Sequence, residues 1–221
     1  MSKRKFVRSV AFTKVTADIE DEILETYSES LENDDFFLHE LPNFFSKLDI
    51  PNCFIKDINL CIDYYYDYIH GKDVEYNPNH AKQSTTLQFI KSYTITPVAN
   101  DIEAIIDVVD IDKLVKNCCK LIKFRNNYNL IYDSWSLFVG RIIDKKTDIT
   151  SHKLTLPHLQ KIKKDLGLDN DLSDSLLIDM LGSCATVDGE IVNYDWEKVK
   201  SGKYVTIKDF AEIMGQLGEL D

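Results

Sequence analysis

The stretch LTLPHLQKIKKDLGL (154–168) decides the fold of this chain, together with a matching stretch, VTIKDFAEIMGQLGEL (205–220). In each stretch an apolar residue precedes a threonine, and a second apolar residue follows four positions after that threonine. A threonine hydroxyl accepts hydrogen bonds from the free N–H groups of a helix start, and the flanking apolar pair fixes the angle at which the chain enters the helix. Both stretches therefore predict a helix that begins directly after a short extended segment.

An entry with the same spacing occurs twice more, at Phe36-Phe37…Leu41 and at Val109-Asp110…Leu114, where Phe37 and Asp110 stand at the position of the threonine. The middle residue is therefore Asp or Thr in three of the four entries. Each of the four helices continues with an apolar residue every three or four positions, which is the spacing of one helix face. Four matching entries predict a fourfold helix–loop–helix repeat whose units pair through short β-contacts, Leu154 with Val205 among them. We therefore predict a mainly α, EF-hand-like fold of the centrin and calmodulin type, with two lobes of paired helix–loop–helix units.

The predicted domain boundaries follow from this repeat and from local composition. Residues 1–16 are predicted to form a basic flexible tail. Residues 17–126 are predicted to form an N-terminal EF-hand-like lobe, and residues 130–221 a C-terminal one. Residues 63–107 are rich in Tyr, Asn and Thr and interrupt the helical pattern, so we interpret them as a variable insertion in the first lobe that is either mobile or carries a helix of its own.

The repeat places four residues at the twelfth position of an EF-hand loop: Glu40, Lys113, His158 and Asp209. A calcium-binding loop needs oxygen ligands at its first, third and fifth positions, glycine at its sixth and glutamate at its twelfth. No loop supplies this set, and the loop that ends at Glu40 comes nearest. We therefore predict no metal and no cofactor. A calcium sensor or buffer that uses the Glu40 loop stays an alternative.

Composition excludes several classes of partner. The 221 residues include 37 acidic and 26 basic side chains, for a formal net charge of −11. Such a surface repels phosphates, so we expect no binding of nucleic acid by the chain on its own. No apolar run approaches the roughly 18–20 residues that cross a bilayer, so we expect no membrane partner. Five cysteines without a CxxC motif are typical of a reducing compartment.

The sequence holds no convincing catalytic constellation, and we predict that the protein is not an enzyme. A hydrolase that uses Cys184 or His158 is a remote alternative, because nothing around Cys184 supplies a base or an oxyanion hole. Both tryptophans suit either a core or an interface. We assign Trp135 to the core or the lining of a groove, and we leave Trp196 open between the two.

Several blocks carry a family resemblance: IEDEILETYSES (19–30), VDIDKLVKNCCKLI (109–122), SCATVDG (183–189) and DFAEIMGQLGEL (209–220). In this order they resemble the Rad33 family of nucleotide excision repair proteins of budding yeast, which are centrin-like and have degenerate EF-hands. The resemblance implies a nuclear, non-catalytic accessory factor of DNA repair. It also implies two partners, the yeast homologue of the XPC damage sensor and the paralogue of that sensor.

By analogy with centrin, the resemblance implies that the C-terminal lobe clasps one amphipathic helix of its partner. The apolar stripes of the paired units would line a groove that is open without calcium, and flexible methionines suit such a lining. A light-chain-like adaptor that clasps a helix of another assembly is the main alternative. The candidate partner-binding residues are Phe138, Ile142, Leu159, Ile162, Leu166, Leu177, Met180, Leu181, Phe210, Ile213, Met214 and Leu217.

Overall fold

The computed structural model is mainly helical, as the sequence predicts. It describes residues 10–31, 35–97, 102–140, 142, 148–168, 173–183, 186–187, 190–191, 193–197 and 204–220. The α-helices are α1 (Val10–Thr13), α2 (Ala17–Ser30), α3 (Leu41–Lys47), α4 (Asn52–Tyr64), α5 (Ala81–Tyr93), α6 (Ile111–Asn126), α7 (Tyr128–Val139), α8 (Leu156–Asp165), α9 (Asp174–Ser183) and α10 (Ile207–Gln216). The strands are β1 (Leu154–Thr155), β2 (Thr186–Val187), β3 (Glu190–Ile191) and β4 (Tyr204–Val205). Short 3₁₀ turns lie at Leu38–Glu40 and Ile149–Ser151, and a π-helical turn at Tyr65–Ile69.

The C-terminal half contains the predicted β-contact. Strands β1 and β4 pair antiparallel, with Leu154 opposite Val205, which confirms the pairing expected from the sequence. Each strand leads directly into a helix, β1 into α8 and β4 into α10. Two residues of extended chain are enough to hold two helix starts side by side, because both backbones exchange hydrogen bonds there. A second small hairpin, β2–β3, follows α9.

The N-terminal half contains an equivalent pair of helix–loop–helix units. The first unit is α2 with α3, and the second is α5 with α6. An isolated antiparallel bridge joins the two loops, Phe37 with Val108, and a second bridge, Thr94 with Val109, lies within the loop of the second unit. The N–H of Val109 donates to the carbonyl of Phe36 at 2.7 Å. The two units thus meet through the extended segments that precede α3 and α6, as the matching sequence entries suggested.

The predicted helix caps are present at two entries. An oxygen of Asp110 accepts from the N–H of Lys113 at 3.1 Å, at the start of α6. The hydroxyl of Thr206 accepts from the N–H of Asp209 at 3.3 Å, at the start of α10. Each bond satisfies an N–H that the first helical turn leaves without a partner.

Residues 63–107, expected as an insertion, supply an integral helix instead. Of the two readings left open, the structure shows the one in which this segment carries its own helix, α5, which packs along α4. Phe89 and Ile90 are fully buried. The sequence pattern hid α5 because the polar side chains of Gln83 and Thr86 occupy buried positions of its stripe. Polar residues at core positions weaken the periodic signal by which a helix is found.

The predicted flexible tail is wrong over its last residues. Residues 1–9 lie outside the part of the chain that is described, but Val10–Thr13 forms α1. Phe12 is fully buried, and the ammonium of Lys123 donates to the carbonyls of Phe12 and Lys14 at 2.9 and 3.0 Å. A single aromatic anchor in a basic segment carries no periodicity, so the sequence pattern gave no indication of it.

The two halves share one continuous core instead of forming two separate lobes. One apolar cluster contains Phe44 and Ile90 of the N-terminal half together with Trp135 and Ala211 of the C-terminal half. Helix α10 packs on both α7 and α4. Only Asn127 separates α6 from α7, so no linker divides the chain at this point.

In the described part of the chain, no helix is both long and apolar enough to cross a membrane.

Candidate functional site

Several residues of the expected groove lie where α7 contacts α10. The ring of Phe210 lies between two rings of α7, at 5.5 Å from Trp135 and 5.6 Å from Phe138, measured between ring centroids. Trp135 is fully buried, and its indole N–H donates to the carbonyl of Ile149 at 2.7 Å, which satisfies the polar edge of a buried ring. Trp135 therefore belongs to the core, and Phe210 connects that core to the surface at Phe138.

The twelve candidate residues divide by exposure. Phe138, Leu166 and Leu217 are exposed, at 37%, 47% and 54%. A second group is half-buried, and a third is buried within the core. The structure does not describe the side chain of Met180 on α9. The half-buried group is Ile142, Leu159, Phe210 and Ile213. The buried group is Ile162, Leu177, Leu181 and Met214.

One stripe of α10 leads from the core to solvent. Phe210, Ile213 and Leu217 follow each other three and four positions apart, so they lie on one face of the helix. The first two are half-buried and Leu217 is largely exposed. Exposed leucine at the end of a half-buried apolar stripe is suited to contact with an apolar surface of another molecule.

The residues at the twelfth loop positions act as helix caps. A carboxylate oxygen of Glu40 accepts from the N–H of Phe37 at 2.6 Å, and one of Asp209 accepts from the N–H of Thr206 at 2.8 Å. The Nδ1 of His158 accepts from the N–H of Thr155 at 3.3 Å. These three side chains therefore bond back to the residue that precedes the helix, an arrangement typical of a capping box.

The fourth such residue, Lys113, holds a neighbouring helix end. Its ammonium donates to the carbonyls of Lys91 and Thr94, at 3.1 and 2.6 Å. A cation at the C-terminal end of α5 compensates the free carbonyls there. Among the described residues, no group of three or more His, Cys, Asp or Glu side chains could hold a metal ion.

A second concave site, which sequence reasoning missed, lies between α4, residues 148–153 and residues 193–197. We call it the α4 cleft; its volume is about 620 Å³. Leu60, Trp196 and Tyr128 supply apolar surface to it. None of the twelve candidate groove residues lines it, so the groove and the cleft are separate surfaces.

The carboxylates of the α4 cleft all have partners within the protein. Both oxygens of Asp57 accept from the ammonium of Lys208 at 2.8 Å. The ammonium of Lys153 lies 3.1 Å from Asp195 and donates to Glu197 at 2.8 Å. The fourth carboxylate, Asp148, accepts from the N–H of Thr150 at 3.0 Å.

Lys153 is held charged by this network. Burial opposes its charge, but hydrogen bonds to Glu197 and Tyr204 and the charge of Asp195 outweigh that effect and raise the pKa of Lys153. The hydroxyl of Tyr204 donates to Asp195 at 2.5 Å, and burial together with this bond raises the pKa of Tyr204. Lys153 therefore keeps its positive charge across the physiological range, and Tyr204 keeps its proton.

The pair of histidines beside the cleft predicts a pH effect. Burial and the adjacent imidazole of His158, at 5.1 Å between ring centroids, lower the pKa of His152. The unfolded chain therefore binds a proton at His152 more readily than the folded chain does. The contribution of neutral His152 to the free energy of unfolding is complete above the unfolded pKa of about 6.5 and is lost as the pH falls below it. We expect the urea midpoint to fall less between pH 7 and pH 5 in His152→Gln than in the wild type.

The exposed His39 provides the control for that experiment, because its ring lies on the opposite half of the chain. His39→Gln should keep the pH dependence of the wild type. Equal loss of the urea midpoint in His152→Gln and His39→Gln would contradict the assignment.

The remote hydrolase alternative gains no support from the described geometry. The Nδ1 of His158 is engaged with the N–H of Thr155, and its ring neighbour is another histidine. Cys184 lies outside the described residues. The described cysteines Cys53, Cys61 and Cys118 have raised pKa values because of burial, and that of Cys53 reaches about 12. Such thiols are poor nucleophiles.

Comparison with known proteins gives a consistent match. Residues 9–171 match the family model described as Rad33. The chain is 30% identical over 214 residues to the DNA repair protein RAD33 of Saccharomyces cerevisiae, and the alignment covers 94% of this chain and 89% of that protein. No solved structure matches the chain.

Proposed function

The chain belongs to the Rad33 family, and on this basis we propose that it is a non-catalytic accessory factor of nucleotide excision repair in the nucleus. The observation that carries the proposal is the match, over nearly the whole length of both chains, with a relative that is named a DNA repair protein. The family resemblance adds the partner, which is the XPC-type DNA damage sensor or its paralogue. Binding would stabilise that sensor.

The proposed mechanism is a calcium-independent clasp on one amphipathic helix of the sensor. Phe138, Phe210 and Leu217 support it, because they form apolar surface that extends outward from the buried Trp135. An amphipathic helix lays its apolar face into such a surface. The acidic protein, at −11, would also attract a helix whose polar rim carries Lys or Arg and would speed the encounter.

The proposed mechanism needs no calcium, because residues at the twelfth loop positions serve as helix caps. Glu40, His158 and Asp209 bond to backbone N–H groups at helix starts, so in this arrangement their acceptor atoms stabilise the fold. The helix–loop–helix units then act as degenerate EF-hands whose groove opens without metal. The partner helix selects the open state by binding it more tightly than the closed one.

The test is a titration, in chelator, with a peptide that spans the C-terminal helix of the XPC homologue from the same organism. Trp135 reports on the groove through its contact with Phe210, and a Trp196→Phe variant removes the other indole from the signal. Saturable binding at or below about 1 μM supports the proposal. No binding by the folded protein, or binding only when calcium is added, contradicts it.

Leu217→Asp should weaken binding of this peptide by at least about tenfold, because it places a charge at the apolar interface. Leu217 is 54% exposed, so the substitution leaves the fold intact. Leu217→Asp is a more specific test of binding than Met214→Asp, because Met214 is buried and a charge there would unfold the protein. The matched control is Leu24→Asp on α2, where the leucine is 39% exposed. Equal affinity of the two variants would contradict the groove assignment.

A further inference from the structure

We infer that a row of ring side chains beside α4 is a second binding site, which takes a proline-rich segment of another protein in the polyproline II conformation. We call this row the aromatic ladder, and its members are Leu60, Tyr64, Tyr68, His80 and Trp196. The proposal is independent of the helix clasp, since none of the twelve groove residues belongs to the ladder. It rests on the ring contacts, the hydrogen-bond donors that the rings carry, and the charges around them.

The rings of the ladder contact one another in a continuous series. The ring centroid of Tyr64 lies 5.1 Å from that of Tyr68 and 5.9 Å from that of Trp196. The ring of His80 is nearly parallel to that of Tyr64, with 6.4 Å between their centroids. Tyr68 is 58% exposed, and Leu60, one helical turn before Tyr64, is 43% exposed. A contiguous exposed surface of apolar and aromatic groups is typical of an interaction site.

The length of the ladder suits about four residues of polyproline II. Leu60, Tyr64 and Tyr68 follow each other four positions apart along α4 and the π-helical turn after it, a distance of about 12 Å at a rise of about 1.5 Å per residue. A polyproline II chain advances about 3.1 Å per residue and repeats every three residues. Slightly more than one turn of such a chain therefore lies along the whole row.

The polar edges of the ladder carry hydrogen-bond donors that the protein does not use. The indole N–H of Trp196 and the hydroxyls of Tyr64 and Tyr68 make no hydrogen bond within the described part of the chain. The Nδ1 of His80 accepts from the N–H of Gln83, so the proton of the neutral His80 ring lies on Nε2, where it is a further donor. All of these groups can donate to a ligand.

A proline-rich chain matches these donors. Polyproline II has no internal hydrogen bonds, so its carbonyls are free acceptors, and each proline lacks an N–H. A segment with an N–H at every residue would bring donors against the donors of the ladder. Polyproline II is also largely formed before binding, so it loses little conformational entropy and binds to a small aromatic surface.

The charges beside the ladder favour a ligand without charge. The ammonium groups of Lys72 and Lys82 each lie 5.3 Å from the centre of a ladder ring. The exposed carboxylates of Asp63 and Asp67 belong to the same stretch as Tyr64 and its neighbours. These carboxylates repel a phosphate backbone, and the ammonium groups repel a basic peptide. The carbonyl dipoles of an uncharged chain, by contrast, accept from the ammonium groups without a new repulsion.

The experiment uses the full chain and three terminally blocked peptides: L-octaproline, D-octaproline and a Gly-Ser repeat of the same length. Two-dimensional NMR follows the amide signals of α4 and the indole signal of Trp196, which is identified by its loss in Trp196→Phe. We expect saturable shifts with L-octaproline at a Kd of about 1 mM or below, and binding at least about tenfold weaker for the other two peptides.

Two outcomes of this titration would overturn the proposal. One is the absence of saturable shifts with L-octaproline. The other is equal binding of D-octaproline, because that peptide has the same composition but forms a helix of the opposite hand.

Substitutions test the ladder itself. Tyr68→Ala should weaken binding of L-octaproline by about tenfold or more, because it removes an exposed ring. Trp196→Phe keeps an aromatic ring but removes the N–H, and should weaken binding by about threefold or more. The control is Tyr132→Ala on α7, where the tyrosine is 36% exposed and outside the ladder, and affinity should stay unchanged. Equal weakening in Tyr68→Ala and Tyr132→Ala would overturn the site.

Further measurements distinguish the kind of ligand. Raising NaCl from about 0.05 to about 0.5 M should change the affinity for L-octaproline by less than about twofold, because the peptide carries no charge. Neither a short oligothymidylate nor octaglutamate should displace it. Displacement by either probe, or a steep loss of affinity in salt, would overturn the proposal. Leu217→Asp, which tests the helix clasp, should bind L-octaproline like the wild type, so the two proposals fail separately.

Discussion

Lys208→Ala should lower the free energy of unfolding by about 3–5 kcal/mol, because it leaves the carboxylate of Asp57 buried without its cation. The ammonium of Lys208 donates to both oxygens of Asp57 at 2.8 Å, and both side chains are buried. A third bond, from the N–H of Tyr194, reaches Asp57 at 2.8 Å. One hydrogen bond from a neutral donor cannot replace an ion pair for a buried charge.

Urea unfolding at pH 7, followed by far-UV circular dichroism, measures this loss. The control is Lys163→Ala, which removes an ion pair with Asp174, a carboxylate that lies at the surface. Such exposed pairs contribute up to about 1 kcal/mol. The double variant Asp57→Asn/Lys208→Met should regain part of the loss, because no unpaired charge remains. A loss in Lys208→Ala no larger than in Lys163→Ala would contradict the assignment.

The same ion pair connects the halves of the chain. Asp57 belongs to α4 and Lys208 to α10, 151 positions apart in sequence. The hydroxyls of Ser92 and Tyr194 lie 2.5 Å apart and add a second polar connection between the halves. Together with the shared apolar core, these contacts predict one cooperative unfolding transition, since neither half buries its surface alone.

The structural features that the sequence predicted correctly are those with a local signal. The caps at Asp110 and Thr206 depend on residues within four positions of each other, and the structure confirms them. The pairing of Leu154 with Val205 joins residues far apart in sequence, but its prediction rests on the same local entry at both residues, and the structure confirms it too. The mainly helical class follows from apolar periodicity in the same way. These features could be read directly because their physical causes act over one helical turn.

Long-range features could not be read in this way. Helix α5 carries polar residues on its buried face, so its place in the core depends on α4 and not on its own pattern. The α4 cleft requires segments near residues 52, 150 and 195 to meet, which no spacing within one segment predicts. The only local signal was the pair Lys56 and Leu60 on one face of α4, which is too common to identify a cleft.

Phe12→Ala should destabilise the protein by about 3–5 kcal/mol, the usual cost of removing a buried aromatic ring. Phe12 is fully buried and its ring lies 6.0 Å from that of Phe124. The absence of a side chain at Gly215 makes room for it. A Cβ atom placed on Gly215 would lie 2.3 Å from the ring of Phe12, closer than any real contact.

This close approach predicts a change of sign in a double-mutant cycle. In the wild type, Gly215→Ala should destabilise by about 1–3 kcal/mol, because the new methyl group forces the Phe12 ring out of place. In the Phe12→Ala background the methyl group meets open space, and Gly215→Ala should stabilise by about 0.5–1 kcal/mol through the helix propensity of alanine. Both effects are measured as shifts of the urea midpoint.

The change of sign in the effect of Gly215→Ala distinguishes a specific contact of Phe12 from general packing. If Phe12 only covered the surface loosely, Gly215→Ala would stabilise both backgrounds equally, because α10 is helical at this position in either case. A coupling energy near zero would therefore contradict the anchored position of α1. A coupling of about 1.5–4 kcal/mol, the difference between the two expected effects, would show that Phe12 holds the start of the described chain against both α6 and α10.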